Sequence, residues 1–311
     1  MRSSDLQTQT RCLACSDPQL VRWFDKRSQH DNQMYGIFRC HNCRSAFVHP
    51  RPAVAYIVDY YETQVPDLGK FRQTGTATNK YLKALQSEEE FPNSTIDASR
   101  IASRCAALTS ERKFLDVGAG YGFFSSAALR NGFKVVAIEP NKSCREIFTR
   151  MNGFLPDDRP LTNEFVVANE GAFGAILLSQ VLEHVVDLQQ MMEYLKRLLS
   201  NDGVVAIAVP HFGSWLSRFQ GRNDMFITPP EHLNFFSQVG LISLFRRNGF
   251  ACCEMSTTSR IDVKRVSRKI RVPFLGRTVA LAISIGLKIS DNFSRGMFIN
   301  AYFKKGGEIV T

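Results

Sequence analysis

The chain has 311 residues, of which 44% are hydrophobic and 22% charged, and its formal net charge at pH 7 is +10. That composition is typical of a globular protein long enough to bury a large core. The first residues hold no apolar signal core and no apolar run approaches the roughly 18 residues that cross a bilayer, so we expect a cytoplasmic protein without a transmembrane anchor.

Two Cys-x-x-Cys pairs lie near the amino terminus, Cys12 with Cys15 and Cys40 with Cys43. In an intracellular chain such pairs indicate metal ligands rather than disulfides. Four thiolates form a closed tetrahedral set that suits Zn²⁺ and leaves no coordination position open for catalysis. The strand-like pieces between the pairs favour a ribbon. We therefore predict a structural zinc ribbon over residues 1–50.

Residues 51–110 are predicted to form a helical linker that caps the sheet of the following domain. Its helical patterns run from Asn79 to Glu90 and from Asp97 to Leu108, with Pro92 between them. Proline breaks a helix because it lacks the N–H and clashes with the preceding turn. We expect the main domain to occupy residues 111–311.

The segment from Phe114 to Pro140 has the pattern of a strand, a glycine turn, a helix and a second strand, which is a β-α-β unit. Its first strand ends in Asp116 and its second in Glu139. The glycines of the turn are Gly118, Gly120 and Gly122. Glycines let a ligand approach the backbone closely. A carboxylate at the second strand tip can accept hydrogen bonds from both hydroxyls of a ribose.

The spacing of this turn separates two classes of adenosine cofactor. A nicotinamide site requires a third glycine where Phe123 stands. A carboxylate at the position of Asp116 would repel a pyrophosphate but would attract a cationic sulfonium amino acid. The residues therefore favour a sulfonium cofactor over a dinucleotide.

Candidate catalytic groups follow two later strands. Ala175 to Ser179 is a buried strand by its continuous apolar run, and Gln180 and His184 come just after it. Ligands of open α/β sheets bind at that end of a strand, so His184 is expected either to orient a substrate and move a proton or to hold its own loop.

Glu231 and His232 stand beside a proline turn, within the long aromatic segment from Pro210 to Ser237. We favour His232 as a general base with Glu231 as its partner. The alternative is that His232 bonds to the backbone and locks the loop against the sheet.

These pieces carry a family resemblance. Asp116, the three glycines and Glu139 resemble motif I and the following acid of class I S-adenosylmethionine-dependent methyltransferases. Residues 178–185 and 200–210 resemble consecutive later motifs, and residues 229–237 resemble an element of zinc-ribbon methyltransferases associated with sugar and polysaccharide modification.

The resemblance implies a Rossmann-like α/β fold, with a mostly parallel seven-stranded sheet whose last strand is antiparallel. It implies an enzyme that uses S-adenosylmethionine for O- or C-methylation of a sugar, nucleotide sugar or lipid-linked glycan in polysaccharide biosynthesis. The implied cofactor-binding residues are Asp116, Gly118, Gly120, Gly122, Glu139 and Gln180. The implied catalytic residues are His232, Glu231 and His184.

The last two strands are predicted at Phe250 to Ser256 and Met297 to Lys304, with an insertion of about forty residues, 257–296, between them. Its stretch from Arg260 to Arg277 holds seven basic residues and one acid, and an apolar run from Thr278 to Leu287 follows. Basic charge next to apolar residues is typical of helices that lie in a membrane interface. We predict peripheral contact with the inner face of a membrane through residues 260–290, and the alternative is a packed surface helix.

Two other functions remain open at this stage. An RNA base methyltransferase would also combine a zinc ribbon with a basic surface, but the Asn-Pro-Pro-aromatic element of amino-group methylation is replaced here by residues 179–182. We therefore expect no nucleic-acid partner. An inactive zinc-organised scaffold or membrane adaptor is disfavoured by the intact Asp116, glycines and Glu139.

Overall fold

The computed structural model describes residues 6–7, 11–29, 31–57, 92–259 and 273–306. The strands are β1 (Leu6–Gln7), β2 (Leu20–Arg27), β3 (Met34–Cys40), β4 (Ala46–Val48), β5 (Arg51–Pro52), β6 (Lys113–Val117), β7 (Lys134–Ile138), β8 (Phe173–Ser179), β9 (Leu199–Pro210), β10 (Asn234–Phe235), β11 (Phe250–Thr258) and β12 (Phe298–Lys305). The helices are α1 (Pro92–Leu108), α2 (Phe123–Arg130), α3 (Lys142–Asn152), α4 (Asn163–Ala168), α5 (Leu188–Leu198), α6 (Trp215–Gln220), α7 (Gln238–Arg247) and α8 (Pro273–Asn292).

The main sheet has six strands in the order β11-β12-β9-β8-β6-β7. Strands β7, β6, β8 and β9 are parallel, whereas β12 is antiparallel to both β9 and β11. This confirms the predicted Rossmann-like α/β fold with a mixed sheet. Parallel pairing puts the carboxyl ends of β6, β7 and β8 on one edge, where ligands of such sheets bind.

The predicted count of seven strands is wrong for the described part of the chain. A seventh strand would have to lie between β7 and β8, and that segment forms only one parallel bridge, between Ile138 and Asp157. Asp157 donates its N–H to the carbonyl of Ala137 and accepts from the N–H of Glu139, both at 2.9 Å. Prolines at positions 156 and 160 lack the N–H groups that would extend this ladder.

Helices cover both faces of the sheet, and successive residues of a strand enter different cores. Phe114 of β6 packs with residues of α1 and α2, whereas its neighbour Leu115 packs in the core that includes α5 and α7. In β8, Leu177 likewise packs in the core with α1 and α2, and Leu178 packs in the core with α5 and α7. Because both faces are buried, these strands are continuously apolar.

The amino-terminal strands form a second sheet that a short strand of the main domain completes. Its order is β10-β4-β3-β2, and β10 pairs with β4 through Asn234 opposite Phe47 and Phe235 opposite Ala46. Arg247 of α7 also donates to the carbonyl of Ala14 at 3.0 Å. The segment after β9 is therefore held by the amino-terminal residues.

Two sequence predictions fall outside the described residues. The predicted helix from Asn79 to Glu90 lies there, as does the basic part of the insertion, residues 260–272. The rest of the insertion is described and includes the end of β11 and the whole of α8. Among the described helices, none has the length and apolar character needed to cross a membrane.

Candidate active site

The glycine turn connects β6 to α2 at the carboxyl edge of the sheet. Gly118, Gly120 and Gly122 all have positive φ angles, at 69°, 55° and 87°. A Cβ on Gly122 would lie 2.2 Å from the side-chain nitrogen of Asn152, whereas a Cβ on Gly120 would meet no heavy atom within 4 Å. Gly122 is therefore required by packing, and Gly120 borders open space into which a ligand can approach the backbone.

Glu139 follows the tip of β7 and holds this turn. One carboxylate oxygen accepts from the N–H of Gly120 and the other from the N–H of Asn141, both at 2.7 Å. The carboxyl group is buried, and burial raises its pKa. Each oxygen keeps a further lone pair, so the same group can still accept hydrogen bonds from a diol.

Asp116 lies on the neighbouring strand and is more deeply buried. Its carboxylate accepts from the hydroxyl of Ser125 in α2 at 2.7 Å. Burial raises the pKa of Asp116 to about 7, and the charge of Glu139 adds to the effect. The two predicted acids therefore lie close together. Burial disfavours the ionised form of both carboxyl groups, and a bound cation would favour that form.

The loop after β8 touches the glycine turn directly. A Cβ on Gly118 would lie 2.7 Å from Val181, which follows Gln180. Gln180 has a positive φ of 57°, and its backbone N–H and side-chain amide both donate to the carbonyl of Ala208, at 2.8 and 3.1 Å. The predicted residues from β6, β7 and β8 thus share one edge.

His184 and His232 form a pair beside this edge. Their ring centroids are 4.7 Å apart and the ring planes are nearly perpendicular. The Nδ1 of His184 is 2.8 Å from the carbonyl oxygen of Glu231, and the Nδ1 of His232 is 2.7 Å from that of Phe226. The structure therefore joins two histidines that are 48 positions apart in the sequence.

These contacts determine the protonation of both rings. A carbonyl oxygen only accepts, so each Nδ1 carries the proton and the lone pair of the neutral ring is on Nε2. Burial lowers the pKa of His184 to about 3, with His232 as a second cause. Burial also lowers the pKa of His232, while the charges of Glu231 and Asp224 oppose that effect. Both rings are therefore neutral at pH 7, and His184 is the weaker base.

The family model described as "Methyltransferase domain" matches residues 75–254, which is more than half of the chain. The chain belongs to this methyltransferase family. It therefore carries a methyltransferase domain over those residues.

Curated relatives are ubiquinone biosynthesis O-methyltransferases. The protein of Actinobacillus pleuropneumoniae is 30% identical over 153 residues, covering 42% of this chain and 65% of that protein. The protein of Roseobacter denitrificans is 25% identical over 173 residues, covering 50% of this chain and 69% of that protein. The chain thus spans slightly under two thirds of the length of the Actinobacillus relative.

Solved structures that resemble the chain include a S-adenosylmethionine-dependent methyltransferase from Archaeoglobus fulgidus. It is 16% identical, with a TM-score of 0.48, covering 68% of this chain and 94% of that one. A geranyl diphosphate C-methyltransferase from Streptomyces coelicolor A3(2) is 12% identical, with a TM-score of 0.44, covering 66% and 79%.

The methyltransferase also brings its four amino-terminal cysteines together. The sulfurs of Cys12 and Cys43 are 3.6 Å apart, as are those of Cys15 and Cys40, and all four lie within 4.8 Å of one another. A tetrahedral Zn²⁺ with Zn–S bonds of about 2.3 Å requires sulfurs about 3.8 Å apart. The donor set and its spacing fit that ion.

Sequence reasoning missed the group that fixes the histidine loop. Arg51 is completely buried, and its guanidinium donates to the carbonyls of Val185 and Val186, at 2.7 and 2.8 Å, and to the side-chain oxygen of Asn234 at 2.9 Å. Asn234 in turn donates to the carbonyl of Leu182 at 2.8 Å. An arginine between two prolines carries no periodic signal, so only the tertiary contacts reveal this role.

Glu183 was also missed. Both of its carboxylate oxygens are buried and have no hydrogen-bond partner among the described residues, and burial raises the pKa of Glu183 to about 8. One oxygen lies within 4.8 Å of a ring nitrogen of His184 and of His232. The methyltransferase therefore keeps an uncharged carboxyl beside its histidine pair at pH 7.

Proposed function

We propose that this enzyme methylates a hydroxyl group or an activated carbon of a small-molecule acceptor, with His232 as the general base. The acceptor class is a sugar, a nucleotide sugar or a lipid-linked glycan. The observation that supports this is the contact between Gly118 and Val181, because it joins the predicted cofactor turn to the loop of His184, whose ring packs on His232.

S-adenosylmethionine supplies an electrophilic methyl group on a sulfonium sulfur. We assign ribose binding to Glu139, whose oxygens stand at the tip of β7, and close backbone approach to Gly120. Asp116 is one residue position inside the strand and contacts Ser125, so we assign it electrostatic stabilisation of the cationic cofactor. Gln180 shapes the wall opposite these groups.

Methyl transfer is an in-line displacement that requires the acceptor to lose a proton. We assign that proton to Nε2 of His232, because its Nδ1–H is already donated to Phe226. The charge of Glu231 favours the imidazolium that forms. His184 positions the ring of His232 through their edge contact.

The relatives support oxygen as the methylated atom, since they are named O-methyltransferases. Methyl transfer from labelled S-adenosylmethionine is the direct test, with nucleotide sugars, glycolipids and RNA offered in parallel. We expect labelling of a sugar-containing acceptor that His232→Asn reduces strongly while cofactor affinity is unchanged. Labelling of RNA alone would support the RNA base methyltransferase instead.

We also propose that Cys12, Cys15, Cys40 and Cys43 bind one structural Zn²⁺. A closed set of four thiolates has no position for a substrate. The supporting contacts are those of Cys43, whose carbonyl accepts from the hydroxyl of Ser237, and of Ser45, whose hydroxyl accepts from the N–H of Ser237 at 3.0 Å.

We divide the chain into a zinc ribbon (1–50), a linker and cap (51–110) and a methyltransferase domain (111–311). The three units are assigned by their proposed roles and are not structurally separate, because β10 of the third unit pairs with β4 of the first. Limited proteolysis with mass spectrometry tests it, and we expect the first cleavages between residues 51 and 110.

A further inference from the structure

Helix α8 is apolar, and most of its side chains whose burial the structure describes are solvent-exposed. Leu281, Ile285 and Ile289 have 57%, 51% and 45% of their surface exposed, and Phe293 just beyond the helix has 65%. Side chains four residues apart lie next to one another on a helix. These four residues therefore form a continuous exposed row.

The row continues onto α6. Phe293 stacks on Trp215, with ring centroids 5.6 Å apart and planes at 30°. Phe219 lies one helical turn after Trp215 and is 90% exposed. We call Leu281, Ile285, Ile289, Phe293, Trp215 and Phe219 the apolar row. Contiguous exposed apolar groups of this kind mark an interaction surface.

The exposed charged residues on and next to α6 and α8 have one sign. Arg218, Arg222, Lys288 and Arg295 are exposed basic residues on or next to α6 and α8. Asp291 is half-buried and accepts from the N–H and hydroxyl of Ser259, at 2.9 and 2.7 Å, so its charge faces β11. Asp224 is buried. Within the described residues on and next to these two helices, the exposed charges are therefore all positive.

We propose that the apolar row is a docking surface for an anionic lipid bilayer, with α8 lying in the plane of the interface. Tryptophan and phenylalanine side chains enter the headgroup region, and neighbouring arginine and lysine side chains contact anionic headgroups. The sequence immediately before α8, from Arg260 to Arg271, holds six further basic residues against one acid. This inference is independent of the acceptor and of the base assigned above.

The charge pattern also distinguishes the bilayer from other occupants. A second copy of the chain would bring the same basic side chains against one another and would be repelled. A nucleic acid would pair with the basic groups but would leave the aliphatic part of the row in water. An anionic bilayer satisfies both features together.

Flotation with lipid vesicles tests the proposal on the full chain. We expect the wild type to float with vesicles of phosphatidylcholine and phosphatidylglycerol and not with phosphatidylcholine alone, with less binding at high salt. The double variant Phe219→Ser, Ile285→Ser should lose at least roughly tenfold in affinity for these vesicles. Leu155→Ser is the matched control, because Leu155 is 73% exposed and lies outside the row, and it should bind like the wild type.

Fluorescence gives a second readout. The chain has two tryptophans, so in a Trp23→Phe background the emission reports Trp215 alone, and we expect a blue shift on addition of the anionic vesicles. Wild type that ignores anionic vesicles, a double variant that floats like the wild type, or unchanged Trp215 emission would each overturn the proposal. So would concentration-dependent dimerisation through the row without lipid binding. Cofactor affinity, measured in parallel, reports on the methyltransferase site separately.

Discussion

Asp116 gives the sharpest prediction because its burial couples folding to pH. Burial raises its pKa to about 7 from an ordinary value of 3.8. Between those two pH values the unfolded chain loses the proton while the folded chain keeps it. The stability that this group contributes is therefore complete below about pH 4 and is lost as the pH rises through about 7.

The magnitude follows from the two pKa values. One pKa unit corresponds to about 1.4 kcal/mol, so the difference between 3.8 and about 7 costs the folded protein up to about 4 kcal/mol above pH 7. Asp116→Asn replaces the titrating carboxyl with an amide, whose oxygen can still accept the hydrogen bond from the hydroxyl of Ser125. We expect the variant to be more stable than the wild type at pH 7–8, and the difference to disappear near pH 4.

Urea unfolding of the cofactor-free protein between pH 4 and pH 8 measures this. Asp202→Asn is the control of opposite sign, because hydrogen bonds from Ser110 and the charge of Lys304 lower the pKa of Asp202 to about 2. A lowered pKa contributes stability above the unfolded value that is lost as the pH falls. The control variant should therefore be less stable than the wild type at neutral pH.

The same carboxyl predicts how the cofactor binds. Ionised Asp116 attracts a sulfonium cation, so wild-type affinity for S-adenosylmethionine should rise as the pH passes 7, and binding should release protons. Calorimetry in buffers of different ionisation enthalpy detects that release, which Asp116→Asn should reduce. An Asp116→Asn protein that is less stable than the wild type at pH 8, or a stability difference independent of pH, would show that the folded protein already holds the ionised carboxylate.

Three further predictions concern the remaining groups. Glu139→Ala should weaken S-adenosylmethionine binding by about 1.5–3 kcal/mol, the size of a hydrogen bond to a charged group; an unchanged dissociation constant by calorimetry would remove the ribose assignment. His232→Asn should lower the transfer rate roughly 10²- to 10⁴-fold at unchanged cofactor affinity, and the wild-type rate should decline only below the ordinary histidine pKa of 6.5, because burial lowers that of His232. One Zn²⁺ per chain should be found by metal analysis and lost in Cys12→Ser together with thermal stability, whereas Cys252→Ser, at an exposed cysteine, should retain both.

Local patterns predicted the parts of this fold that are local. The strand, glycine turn, helix and strand between Phe114 and Pro140 were confirmed as β6, α2 and β7, because each piece has its own periodicity and the glycines mark the turn. The prolines near Asp157 were visible in the sequence, but their effect on the predicted count of seven strands was not. Whether a short segment joins a sheet depends on the neighbouring strand rather than on its own residues.

The geometry of the candidate site depends on contacts that no local pattern encodes. A two-residue strand such as β10 has no periodicity, so its pairing with β4 was not predictable. The contact of His184 with His232, and the partners of Arg51, likewise join distant parts of the chain. Residue types identified the chemistry, and tertiary pairing determined which residues act together.

The cysteine cluster and the histidine pair are parts of one connected structure. Ser237 donates its hydroxyl to the carbonyl of Cys43, and the chain before it forms β10, which is paired with β4. Five residues before Ser237 stands His232, whose loop is thereby fixed at one end by the cysteine-bearing segment. A metal at the cysteines would then act on catalysis through the position of His232 while leaving the turn around Gly120 intact. Metal removal should accordingly lower the transfer rate more than it lowers cofactor affinity, and an equal loss of both would indicate that the cysteine-bearing segment only supports global stability.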